Sequence, residues 1–295
     1  MSKTRRFIRV FSALLIGLLA TSSAESQFKS DQYRNELLSG RAKSVHTEHY
    51  LVEANTNRLT SRDYDSFDAH GNKIRSINYD STGLVSSIST SFYDRAGKRI
   101  RFRTFRSNET GLKKTYYRYD RLKRIAREIT VTAAGALESL VIHDYRRRGR
   151  TVIQRHYNPK RRLTLTKITT FDSKQSKIAE EQRITKYFEG SDHGANKWKY
   201  SYDSNGNLSE WHFYRVDDGT ERYLLKIVFK YDSSGNRSQE LGYDDNGILT
   251  SKRHHHYEFD QKGNWVKKTS TFVRIEDGTE FPEQPRLEIR KISYY

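Results

Sequence analysis

The chain has 295 residues, with 54 Lys and Arg against 36 Asp and Glu for a formal charge of +18, and no cysteine. Without cysteine there are no disulfides, no thiol nucleophile and no lipid-modified cysteine at a mature N-terminus. Only 34% of residues are hydrophobic, but 20 Tyr, 14 Phe and 3 Trp are present. That balance argues against a thick two-sided core and for a sheet stabilised by large aromatic side chains.

Lys3, Arg5, Arg6 and Arg9 precede an apolar run from Val10 to Ala20, and the small residues Ser22-Ser23-Ala24 come before Glu25. This order predicts a signal peptide over residues 1–24. The apolar run is roughly half of the ~20 residues that a spanning helix requires. The expectation is therefore a secreted or periplasmic protein with no transmembrane span after cleavage. Asp31 to Ser39 reads as a short helix capped by Ser30 or Asp31 and ended by Gly40. Residues 25–49 would hold that helix and a first strand, and residues 50–295 the main domain.

From Phe67 onward the chain repeats. Gly71, Gly97, Lys123, Gly149 and Gln175 fall at steps of 26 residues, and a second register runs through Gly83, Gly111, Gly135 and Arg161. A turn thus arrives every 12 to 14 residues, which sets the architecture before anything else. The fullest copies are Tyr202-Asp203-Ser204-Asn205-Gly206-Asn207, Tyr231-Asp232-Ser233-Ser234-Gly235-Asn236 and Phe259-Asp260-Gln261-Lys262-Gly263-Asn264. In such a phrase Asp bonds the backbone of the turn and Gly supplies positive φ, which is hairpin chemistry. Between turns lie alternating segments. Leu225, Ile227, Phe229 and Tyr231 share one face against Lys226 and Lys230, and Ile100 and Phe102 stand against Arg99, Arg101 and Arg103. The stretch from Arg161 to Asn196 has lost most of its glycines and is expected to carry irregular or longer connections.

The aromatic-Asp-x-x-Gly-Asn phrase in tandem resembles the YD repeat of the RHS family, from about Tyr64 to Trp265. The segment from Leu38 to Tyr50, Lys262-Gly263-Asn264-Trp265 and the final Ile292-Ser293-Tyr294-Tyr295 resemble a group of small secreted bacterial YD-repeat proteins. Within that family such repeats build a β-shell around a toxin domain, and carbohydrate or heparin binding is associated with them. No toxin domain is recognisable here. The prediction is an all-β domain, an antiparallel β-meander of tandem YD-type hairpin repeats, twisted, with a short N-terminal helix. An open curled sheet and a closed barrel both fit this pattern.

Charge is segregated along the chain. Asp94 to Arg162 carries 21 Lys and Arg against 6 Asp and Glu, a net +15. Beyond that segment and residues 1–24, 29 basic residues balance 30 acidic ones. If consecutive strands pair, Arg99, Arg101, Arg103, Lys114, Arg118 and Arg124 join one basic surface, with Arg146, Arg147 and Arg148 adding field from a turn. The predicted partner is an acidic polysaccharide or other polyanion, or an acidic protein; nucleic acid is less favoured, because no nucleic-acid-binding motif is present. Alternation places Tyr117 and Tyr119 on the packed side, leaving Phe105 and Tyr116 beside the cations.

His254-His255-His256 splits across two faces and names no third ligand, so no metal or other cofactor is assigned. Asp217-Asp218 and Asp244-Asp245 precede turn glycines, where Asp caps the backbone. No nucleophile elbow or phosphate loop is present. The reading is a non-catalytic binding protein, with a structural or protein-interaction module as the alternative and a polysaccharide-acting hydrolase as the third.

Overall fold

The structure, a computed structural model, describes residues 38–53, 56–109, 111–184, 195–217 and 219–295. The signal peptide expected over residues 1–24 lies outside these residues, as does the helix expected over Asp31–Ser39, apart from Leu38 and Ser39, which are not helical. Nineteen strands follow one another. The first nine are β1 (Ala42–Val52), β2 (Asn57–Phe67), β3 (Lys73–Asp80), β4 (Val85–Tyr93), β5 (Arg99–Arg106), β6 (Lys113–Tyr119), β7 (Ile125–Val131), β8 (Leu137–Arg146) and β9 (Thr151–Tyr157). The rest are β10 (Leu163–Phe171), β11 (Lys177–Ile184), β12 (Ala195–Tyr202), β13 (Leu208–Asp217), β14 (Thr220–Tyr231), β15 (Arg237–Asp244), β16 (Leu249–Phe259), β17 (Trp265–Glu276), β18 (Thr279–Pro282) and β19 (Arg286–Tyr294). No α-helix occurs among the described residues.

From β2 to β18 each strand pairs antiparallel with its predecessor, and β1 pairs with β19 from Ala42↔Tyr294 to Leu51↔Arg286. Because β19 also pairs with β17, the four-residue β18 hangs from the end of β17 and the other 18 strands form a closed ring. This corrects the expected meander of tandem YD-type repeats: of the open curled sheet and the closed barrel that the pattern allowed, the strands form the closed barrel. An open sheet would leave two long rows of unpaired N–H and C=O groups at β1 and β19; closure pairs them. Of the irregular or longer connections expected between Arg161 and Asn196, the one from β10 to β11 is short, whereas the link from Ile184 to Ala195 is longer than its neighbours and lies outside the described residues. Strands β10 and β11 pair from Leu165↔Ile184 to Phe171↔Lys177 around a tight turn.

The turns explain the curvature. In the turn after Phe67, the Asp68 carboxylate accepts from the backbone N–H groups of His70 and Asn72, both at 2.9 Å, and Gly71 stands at φ 83°. The pairing register shifts between Ser66 and Phe67, and equivalent shifts recur next to most other turns. An extra residue on one strand of each pair bends and twists the sheet, and repeated round the chain this brings the edges together. Lys123 and Gln175 occupy the glycine register without being glycine, at φ 65° and 66°. A left-handed backbone costs an L-residue about 1–2 kcal/mol, part of which glycine's extra entropy in the unfolded chain takes back. Lys123→Gly and Gln175→Gly should each therefore raise unfolding free energy in urea by about 0.5–1 kcal/mol. A loss of stability in both would contradict this account of the repeat.

A ladder of tyrosines binds one rim. The hydroxyls of Tyr93, Tyr119, Tyr145, Tyr202 and Tyr231 donate to the carbonyls of Lys73, Arg99, Ile125, Lys177 and Leu208, at 2.7–2.9 Å. Each closes the gap between two neighbouring turns, from the end of one strand, or a residue short of it at Tyr145, to the first residue of the strand before it. Tyr257 does the same to Arg237 at 3.0 Å.

Most of the burial follows one parity, with Ile77 and Leu287 buried on the other. Val45, Thr47, Tyr117, Glu128, His143, Val152, Gln154, Thr169, Glu180, Trp211, Phe213, Ile227 and Ser251 are all buried, and the strand registers place them on a single face. On a closed sheet the concave face is the crowded one, so these side chains point inward. A ring of 18 strands spaced about 4.8 Å and tilted about 40° measures on the order of 35 Å across, wider than two facing side chains span. No described residue falls below 2% exposure, so the interior is not a dry core.

Candidate functional site

The inner wall is charged but paired. His143 and Glu128 meet at 2.8 Å, with the imidazole 1% and the carboxylate 7% exposed. Lys167 meets Glu180 at 3.0 Å. Glu240 accepts from Arg237 at 3.1 Å, His255 at 3.3 Å and Arg253 at 3.4 Å. His255 thus points inward, with its Nδ1 at 2.8 Å from Ser270 Oγ. Among the described residues no group of His, Asp and Glu is arranged to hold a metal ion.

On the outer face, charged side chains stand mid-strand on most of the ring, including Arg62, Arg103, Arg127, Arg155, Lys199 and Lys226. A lipid-facing barrel needs an apolar band there, and each Lys or Arg at the bilayer midplane costs about 2–4 kcal/mol. This exterior is chemically suited to water.

On several other strands of that exterior, cations have carboxylate partners. Arg62 pairs with Glu48 at 3.2 Å, Lys199 with Glu221 at 3.0 Å, Lys252 with Glu280 and Lys267 with Glu258, both at 2.7 Å. The sector from β5 to β7 differs. Arg103 sits directly opposite Lys114, and Arg118 directly opposite Arg127. Like charges facing each other across strands are destabilising. Arg101, Arg103, Lys114, Arg118 and Arg127 enter no ion pair among the described residues. The Arg101 and Arg103 guanidinium carbons lie 4.0 and 5.0 Å from the Phe92 ring centroid, and their buried Nε atoms lack hydrogen-bond partners. Phe105 and Tyr116, 36% and 39% exposed, flank them.

Of the residues singled out from sequence, the structure therefore gathers Arg101, Arg103, Lys114 and Arg118, and separates the others. Arg99 turns inward, its guanidinium 4.7 Å from the Tyr117 ring and 5.5 Å from Phe102. The register shift that pairs Phe92 with Arg101 but Tyr93 with Arg99 puts one residue too many on β5 and breaks the simple alternation. Arg124 is held at the rim by Asp120, Nε to Oδ2 at 2.8 Å, with its guanidinium 4.1 Å from the Tyr145 ring. Arg146 pairs with Asp144 at 3.0 Å. Arg147 and Arg148 lie in the turn after β8. Arg127 was missed, because its sequence neighbour Glu128 looks like a neutralising partner. Strand alternation turns that carboxylate inward to His143.

No protein-family model matches the chain, and neither does any curated protein. Among solved structures, a porin-like protein from Bacteroides uniformis is similar at 9% identity, over 87% of this chain and 99% of that one, with a TM-score of 0.42. A porin-like protein from Bacteroides vulgatus matches at 12% identity over 86% and 98%, with a TM-score of 0.31. A Photorhabdus luminescens Tc holotoxin pore matches at 13% identity over 81% of this chain but 16% of its own, with a TM-score of 0.33. Likeness this low transfers no activity, ligand or membrane location. The resemblance to the YD-repeat family, and the carbohydrate binding it implied, are corrected: no family model supports them, and the strands close into a ring.

Proposed function

We propose that this is a non-catalytic, exported, water-facing β-barrel that binds a phosphate-bearing polyanion on its outer β5–β7 face. The observation that carries the reading is the pair of like-charged cross-strand contacts, Arg103–Lys114 and Arg118–Arg127, left without carboxylates, whereas Arg62 and Lys199 elsewhere on the outer face have carboxylate partners. A polyanion would relieve that repulsion and release its own counterions on binding. Arg101, Arg103, Lys114, Arg118 and Arg127 supply the charge, and Tyr116 and Phe105 supply flat apolar contact between them.

Replacing Arg101, Arg103 and Lys114 together by Glu tests this. Wild type should bind immobilised polyphosphate with steep salt dependence. The variant should lose at least about a hundredfold in affinity, with a log–log salt slope smaller by about 3, and keep its circular dichroism. Unchanged retention would sink the proposal, and saturable binding to one acidic protein with none to polyphosphate would replace the polyanion by a protein partner.

A further inference from the structure

The tyrosine ladder has a gap. At the end of β10 its place is taken by Phe171, which has no hydroxyl to donate to Thr151, the first residue of β9. A cavity of about 490 Å³ opens at that point of the rim, lined by Arg147, Arg148, Arg150, Thr151, Thr170 and Phe171. Thr151 and Thr170 are cross-strand partners in its wall. The three arginines come from the turn between β8 and β9, where Arg147, Arg148 and Gly149 stand consecutively at φ 49°, 57° and 88°. The turns after Phe67, Tyr93 and Tyr119 need one such residue each, Gly71, Gly97 and Lys123. Two arginines held left-handed are strained, and strain of this kind persists where the surrounding structure holds it for a purpose. None of the three arginines is ion-paired among the described residues: the nearby Asp144 is taken by Arg146, and the Asp172 carboxylate caps its own turn through the Lys174 and Ser176 N–H groups.

We propose that this rim cavity is a second anion site, for a phosphate group that is either free or the end of a polymer. Guanidinium groups match phosphate oxygens in forked pairs, and two threonine hydroxyls add donors, so a tetrahedral dianion is held by more hydrogen bonds than a carboxylate. This site does not depend on the β5–β7 face. The missing tyrosine hydroxyl is what leaves the rim open, and restoring it should shut the site.

Titration of the full chain with inorganic pyrophosphate, followed by calorimetry, is the test, with acetate as control. Wild type should bind pyrophosphate saturably and acetate at least about tenfold more weakly. Arg147→Gln/Arg148→Gln should lose about tenfold or more. Phe171→Tyr should lose about fivefold while its melting temperature holds or rises, which separates closure of the cavity from unfolding. The Arg101→Glu/Arg103→Glu/Lys114→Glu variant should bind pyrophosphate as wild type does. If that variant also releases polyphosphate, the group is taken free; if it still holds polyphosphate through the rim arginines, the chain end is the source. Equal binding by wild type, Arg147→Gln/Arg148→Gln and Phe171→Tyr, equal binding of acetate, or no binding by wild type would overturn the proposal.

Discussion

Glu240→Gln should cost this barrel about 3–5 kcal/mol of unfolding free energy, among the largest losses any single substitution on the inner wall would cause. The carboxylate is 16% exposed and accepts from Arg237, Arg253 and His255 together. Its removal as a charge strands two largely buried guanidinium groups, Arg237 and Arg253, each 23% exposed. Burial by itself would raise the Glu240 pKa, but the His255 hydrogen bond and the charges of Arg237 and Arg253 outweigh it and hold the group down at about 2. A carboxylate depressed in the folded state stabilises the fold above its unfolded pKa, near 4.5, and loses that contribution as pH falls toward 2. The linkage amounts to on the order of 3 kcal/mol. His255, whose pKa burial lowers, acts in the same direction at higher pH, since below about 6.5 the unfolded chain takes up the proton more readily. Wild type should therefore lose stability as pH falls, and Glu240→Gln, which keeps the other depressed carboxylates such as Glu180, should lose less between pH 5 and pH 3 by its own share of the linkage. Urea unfolding from pH 7 to pH 3 measures the difference; parallel acid limbs in the two proteins would contradict the role given to Glu240.

The fold was legible where chemistry is local. The step of 26 residues located turns at Lys123 and Gln175 although neither is glycine, because the Asp at Asp120 and Asp172 builds the turn and the backbone tolerates the strain. Alternation put Leu225, Ile227 and Phe229 opposite Lys226 and Lys230, and it made Tyr117 a buried residue, 5% exposed. What depends on distant pairing was not legible. Nothing local in Val45 or Ile292 shows that they are partners across the seam. The bulge beside Arg99 could not be read either, and with it went the true membership of the basic face. Phe171 reads as a harmless aromatic exchange until the ladder shows that it brings no hydroxyl to Thr151.

Charge placement follows the same division. The segment from Asp94 to Arg162 holds the net +15, but its inward residues, Glu128 and His143, are paired. Apart from Arg99, which turns inward, the outer face and the rim carry much of the excess.

Inward and outward faces, the unpaired cations and the rim all depend on β1 meeting β19. The chain has no cysteine, so two introduced thiols report on that seam alone. Val45 faces Ile292 and His46 faces Lys291, and successive antiparallel pairs alternate between about 5.5 and 4.5 Å in Cα separation, both within reach of a disulfide. Val45→Cys/Ile292→Cys and His46→Cys/Lys291→Cys, oxidised under mild conditions, should each cross-link within one molecule. By the loop-entropy relation for a loop this long, the better pair should be stabilised by up to about 5 kcal/mol over its reduced form. A faster-migrating monomer band lost on reduction, with the matching rise in melting temperature, is the predicted result. Free thiols in both variants, or cross-links only between molecules, would show an open sheet and contradict the closed barrel.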